Sequence, residues 1–118
     1  MSLYSVEIIK VGECAAEALS DDMLIMFNES APADAAEYCF IHNHDTLRGE
    51  IVVGGHLVID EITYPITAVG DAVNQNLGNL GHITLRFDGA ASADFVGSLH
   101  LAGVQPSAVA AGSTITFK

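Results

Sequence analysis

Apolar and polar residues alternate from the start of the chain. Tyr4, Val6 and Ile8 fall on one side of an extended segment and Ser5 and Glu7 on the other. A period of two marks a half-buried strand. Met23–Phe27 is a short apolar run between Asp21-Asp22 and Asn28-Glu29-Ser30, and Tyr38–His44 is aromatic and apolar enough for a strand entered from the loop around Pro32. His56–Ile59 and Ile62–Val69 flank Asp60-Glu61 and predict a hairpin. Ile83–Phe87 runs into the turn dipeptide Asp88-Gly89, and Ser98–Ala102 and Thr114–Phe117 complete the set. Two stretches favour helix instead: Ala-rich Glu13–Leu19, and Asp71–Leu80 with an N-cap candidate at its head. Short strands punctuated by turns predict an all-β fold, a small antiparallel β-barrel or sandwich with one or two short helices.

No Pro/Ser-rich linker, charge block or repeat divides the chain, so residues 1–118 are expected to form a single domain. Half of the residues are hydrophobic, enough for a core without covalent staples. Four Lys and Arg stand against 15 Asp and Glu, a net charge of -11. Binding to nucleic acid or to an anionic membrane surface depends on cations, so both are poor partners for such a chain. Cys14 and Cys39 are too few for a disulfide scaffold or a four-thiolate zinc site. With no secretory leader and no long apolar run, the expectation is a soluble cytoplasmic protein with free thiols. Lys10 and Lys118, the two lysines, follow no Gly-rich loop, which excludes a P-loop, and neither G-x-G-x-x-G nor G-x-S-x-G occurs.

Histidine is the residue that brings chemistry. His42 and His44 are spaced two apart in Tyr38–His44, which places both imidazoles on one face of a strand beside Tyr38 and Phe40, with Cys39 and Ile41 turned to the core. The apolar start and polar end of this segment put the pair at the sheet's rim. Three readings follow. The strand end is simply polar. Or the pair ligates a metal, with Glu50, His56, His82 or His100 as further ligands; the His-x-His of cupin barrels is the comparison, but the carboxylate spacing and glycine pattern do not match. Or one imidazole is a nucleophile, its lone pair free near neutral pH.

Four stretches carry a family resemblance. Ala31-Pro32-Ala33-Asp34 is followed by Glu37-Tyr38-Cys39-Phe40-Ile41-His42-x-His44, and Tyr64-Pro65-Ile66-Thr67-Ala68-Val69-Gly70 comes next. Asn76-Leu77-Gly78 with Leu80-Gly81-His82 then leads into Ile83-Thr84-Leu85-Arg86-Phe87-Asp88-Gly89. In this order, over nearly the whole chain, they resemble the glucitol/sorbitol-specific IIA component of the phosphoenolpyruvate-dependent sugar phosphotransferase system.

The resemblance implies a small β-barrel that acts as a phosphotransferase component. It would take a phosphoryl group from the phosphocarrier protein HPr onto a histidine and pass it to the IIB domain of the glucitol/sorbitol permease. The family's phosphorylated histidine matches His42. No cofactor and no metal is implied, because the group arrives already activated. His44 is a candidate to support the phosphoryl group or to fix the tautomer of His42. His100, Arg86 and Arg48 are weaker candidates for the same site, and His82 reads as structural. With so few cations in the chain, the positive charge at the transfer site is expected to come mainly from the partner.

Overall fold

A computed structural model describes residues 2–118. The described residues form eight strands and three short helices: β1 (Tyr4–Val11), α1 (Ala15–Ser20), β2 (Met23–Asn28), α2 (Ala33–Ala36), β3 (Phe40–His42), β4 (His56–Ile59), β5 (Ile62–Val69), α3 (Val73–Leu80), β6 (Ile83–Arg86), β7 (Ser98–Leu101) and β8 (Thr114–Phe117). The strands close into a barrel in the order β1-β3-β2-β6-β7-β5-β4-β8. Of the all-β barrel and sandwich expected, the barrel is the fold, with α2, a single turn after Pro32, as an addition to the two helices read from the sequence.

The alternation does the folding work. Tyr4, Val6 and Ile8 point inward from β1, Leu24 and Met26 from β2, Leu57 and Ile59 from β4, Tyr64 and Ile66 from β5, and Ile115 and Phe117 from β8. An eight-stranded barrel is just wide enough for such side chains to fill its interior. Burying a side chain of this size is worth roughly 1.5–3 kcal/mol, so the inward set dominates stability.

The barrel is not wholly antiparallel. β2 pairs with β3, and β6 with β7, in parallel. Parallel neighbours need a long crossover in place of a tight turn. The 29–39 segment, which carries α2, and the 87–97 segment supply the two crossovers. The pairing brings the short β3 between β1 and β2, with His42 opposite Ile8 on one side and Asn28 on the other.

Candidate functional site

β3 ends at His42, yet the chain keeps following β1 beyond it. The amide of Asn43 donates to the Glu7 carbonyl, and the side-chain oxygen of Asn43 accepts from the Glu7 amide at 3.0 Å. Two residues on, Asp45 accepts from the Ser5 amide at 2.9 Å. Side chains thus take over the ladder, and between them His44 adopts a left-handed backbone (φ 59°), a conformation in which Asn, Asp and His are over-represented among non-glycine residues. That twist, not a regular strand, brings His44 beside His42, with ring centroids 6.1 Å apart.

The face assignment of this segment differs from expectation. Phe40 joins the core cluster, and His42 on the same side is wholly buried inside the barrel, not displayed on its rim. Cys39 and Ile41 are buried too, but outside that cluster. Tyr38 lies before the strand and is half exposed, so it does not flank the histidines as a strand neighbour. A run apolar on both faces carries no period-two signal, so the sequence did not tell inside from outside here.

Both nitrogens of His42 are engaged. Nε2 lies 2.8 Å from the Gly81 carbonyl, and the His44 amide donates to Nδ1 across 3.0 Å. An acceptor at Nε2 and a donor at Nδ1 select the tautomer with its proton on Nε2. Burial pushes the His42 pKa below its ordinary 6.5; the Gly81 carbonyl opposes this and the neighbouring His44 adds to it. The ring is therefore neutral at pH 7.

Gly81 makes the close approach possible. It ends α3 with φ 60°, where a left-handed residue is needed. A Cβ there would lie 2.3 Å from Cε1 and 2.6 Å from Nε2 of His42. His44 is partly exposed and lines an open cavity of about 660 Å³ between residues 43–47 and the Gly78-Asn79 end of α3. Its Nδ1 meets the hydroxyl of Tyr4 at 2.5 Å, and Tyr4 packs edge-on to both histidines.

Arg48 reaches this end of the barrel, but as a partner of Asp45, held by two hydrogen bonds of 2.7 and 2.9 Å. That fork holds the Asp45 carboxyl far below the usual carboxylate range. Arg86 and His100 are elsewhere. Arg86 pairs with Met23 at the opposite end of β2 from Asn28, and His100 pairs with Arg86. At ~3.3 Å per residue, the length of β2 separates them from His42. His100 is buried with Nδ1 2.7 Å from Asp88 and Nε2 3.0 Å from Asp94, while Arg86 binds Asp94 at 2.8 Å. The structure therefore does not bring these two candidates beside His42; with Asp88 and Asp94 they form a hydrogen-bonded cluster that ties the 87–97 crossover to the sheet. His82 stacks on Phe27 at 4.5 Å, as a packing residue would.

No group of three or more His, Cys, Asp or Glu side chains able to hold a metal ion occurs among the described residues. The sequence singled out neither Tyr4, read only as an apolar position of the half-buried first strand, nor Gly81, read only as part of a motif. For Gly81 the signal was present, a glycine directly after a helical stretch. For Tyr4 there was none.

Residues 3–116 match the family model described as PTS system glucitol/sorbitol-specific IIA component. Two curated relatives, the PTS system glucitol/sorbitol-specific EIIA components of Shigella flexneri and of Escherichia coli (strain K12), are each 47% identical over 116 residues, covering 98% of this chain and 94% of theirs. A crystal structure of a PTS system IIA component from Enterococcus faecalis V583 superposes with a TM-score of 0.79 at 26% identity, covering 94% of this chain and 96% of that one.

Proposed function

Because the chain belongs to the family of glucitol/sorbitol-specific IIA components of the sugar phosphotransferase system, we propose that it is a cytoplasmic phosphoryl carrier whose acceptor is His42. The group arrives from phosphorylated HPr and leaves for the IIB domain of a glucitol/sorbitol permease. None of its described helices is long and apolar enough to cross a membrane.

The step exchanges one N–P bond for another. A lone pair of the His42 imidazole forms a bond to phosphorus while the bond from phosphorus to the donor's histidine breaks, and the donor nitrogen keeps the electron pair. Little free energy changes hands, so the group stays transferable. The transition state is loose, with charge spread over the phosphoryl oxygens, and catalysis is positioning plus charge stabilisation.

The observation that carries this reading is the placement of His42. It is neutral, and it is held at both nitrogens by backbone groups of two left-handed residues, Gly81 and His44. Uptake of a phosphoryl group requires one of these hydrogen bonds to open, so the Gly81 and His44 backbone is the cover that moves when the donor docks. The polar end of α3 and the cavity beside His44 form the approach.

The test is to mix the protein with phosphoenolpyruvate, enzyme I and HPr and weigh it. One acid-labile phosphoryl group on the wild type and none on His42→Gln is the expected result. Full labelling of the variant would move the acceptor to His44.

A further inference from the structure

Two imidazoles lie side by side at the transfer end of the barrel, and one of them is hydrogen-bonded by a residue at the head of β1. Resting on the carrier reading above, we propose that Tyr4 is a positioning residue for the transfer. Its hydroxyl holds His44 in the tautomer with the proton on Nε2, so His44 meets the phosphoryl group as a hydrogen-bond donor and not as a second nucleophile.

Tyr4 is wholly buried, and its hydroxyl faces Nδ1 of His44 at 2.5 Å. Burial pushes the phenol up to about 12, partly offset by the backbone amide of Asp45, which acts on the same oxygen. At neutral pH the hydroxyl therefore keeps its proton. Nδ1 of His44 is the acceptor that the hydroxyl faces, and a ring nitrogen that accepts leaves the imidazole proton on the other one. Nε2 of His44 has no hydrogen-bond partner among the described residues, and the residue is partly exposed. The residue's exposed surface is the wall of the cavity at the end of α3.

The arrangement also ties His44 to the acceptor. The same residue whose ring is held by Tyr4 donates its amide to His42 Nδ1. Tyr4 is itself fixed, edge-on to Phe117 at 6.0 Å and on a strand paired on both sides. The result separates two chemically equal groups two residues apart. The lone pair of His44 is consumed by Tyr4, and its open nitrogen carries a proton.

Nitrogen-15 spectra of the unphosphorylated wild type test this directly. The expected pattern for His44 is an unprotonated Nδ1 and a protonated Nε2; a proton on Nδ1 would overturn the proposal without any variant. In Tyr4→Phe, which keeps the ring packing, the His44 signals should shift toward a mixture of tautomers, and single-turnover transfer from phosphorylated HPr should slow roughly tenfold. His44→Gln should slow it similarly, and the double variant should be no slower than either single one, because Tyr4 acts through His44. An unchanged nitrogen pattern in Tyr4→Phe, or losses that multiply in the double variant, would sink the role of Tyr4 alone. Failure of the wild type to take label would instead remove the carrier reading, and the transfer role of Tyr4 with it.

Discussion

Gly81 closes over His42 so tightly that the carbonyl of one and the imidazole of the other are hydrogen-bonded at 2.8 Å, with no room for a single added carbon between them. A helix end thereby sets the tautomer of a side chain in a distant strand.

Gly81→Ala should therefore harm both stability and transfer. A left-handed non-glycine residue costs about 1–2 kcal/mol, and the methyl must displace the His42 ring. A fall in Tm on the order of 5 °C or more, with at least a tenfold loss in transfer rate, is the expected outcome. Thermal denaturation and single-turnover labelling of the same preparation check it. An unimpaired rate would show that the Gly81 contact is irrelevant to the acceptor.

Substitution of His42 should scale with what replaces its two hydrogen bonds. His42→Ala leaves a buried void and strips partners from the Gly81 carbonyl and the His44 amide, a loss of about 3 kcal/mol. His42→Gln retains a donor and an acceptor and should cost roughly 1 kcal/mol. Urea denaturation of the three proteins gives the comparison; equal losses for Ala and Gln would contradict the two-bond arrangement.

Acid should weaken the wild type more than His42→Gln. The folded-state pKa of His42 is depressed by burial, so the unfolded chain binds the proton more readily. Stability is then fully present above about pH 6.5, the unfolded value, and is lost as pH falls toward the depressed folded value. His82, also lowered by burial, contributes to the same window in both proteins, so the difference between them isolates His42. The check is stability against pH between 7 and 5 by denaturant titration, where the wild type should show the steeper decline.

The cations should divide by location. Arg86→Ala breaks the pair with Asp94 at the far end of the barrel and should cost about 1 kcal/mol of stability with an unchanged transfer rate. Arg48→Ala leaves the Asp45 carboxylate without its cationic partner beside His44 and should slow transfer by less than about tenfold, or ~1.4 kcal/mol of barrier. Transfer from HPr should fall as salt rises, because a chain of net charge -11 attracts a cationic partner through a screened field. A salt-independent rate would argue that the partner brings no such charge.

Much of the barrel was legible because its strands follow a period of two: His56–Ile59, Ile62–Val69 and Thr114–Phe117 lie where the alternation and the turn residues put them. The parallel pairs were not legible. Whether β3 runs with or against β2 depends on where the 29–39 segment crosses, and no local pattern encodes that. At the site, the His42-His44 pair stood out by composition and spacing, but its inward orientation did not, since Phe40 and Ile41 are both buried. The partnership of Tyr4 with His44 spans the first strand and the segment after the third, and alternation reports only that Tyr4 faces inward. Arg86 and His100 illustrate the converse: chemically suggestive residues that the β2–β6–β7 pairing carries away from His42.

Closure of the barrel bears on how such a protein could live at high concentration. Among the described residues every strand has a neighbour on each side, so the sheet has no edge strand to recruit another chain by strand addition. Copies of so acidic a chain also repel one another. A shuttle must meet partners often and leave them quickly. A sealed cylinder confines stickiness to side chains and loops, where contact can be brief, and so favours turnover of encounters over permanence.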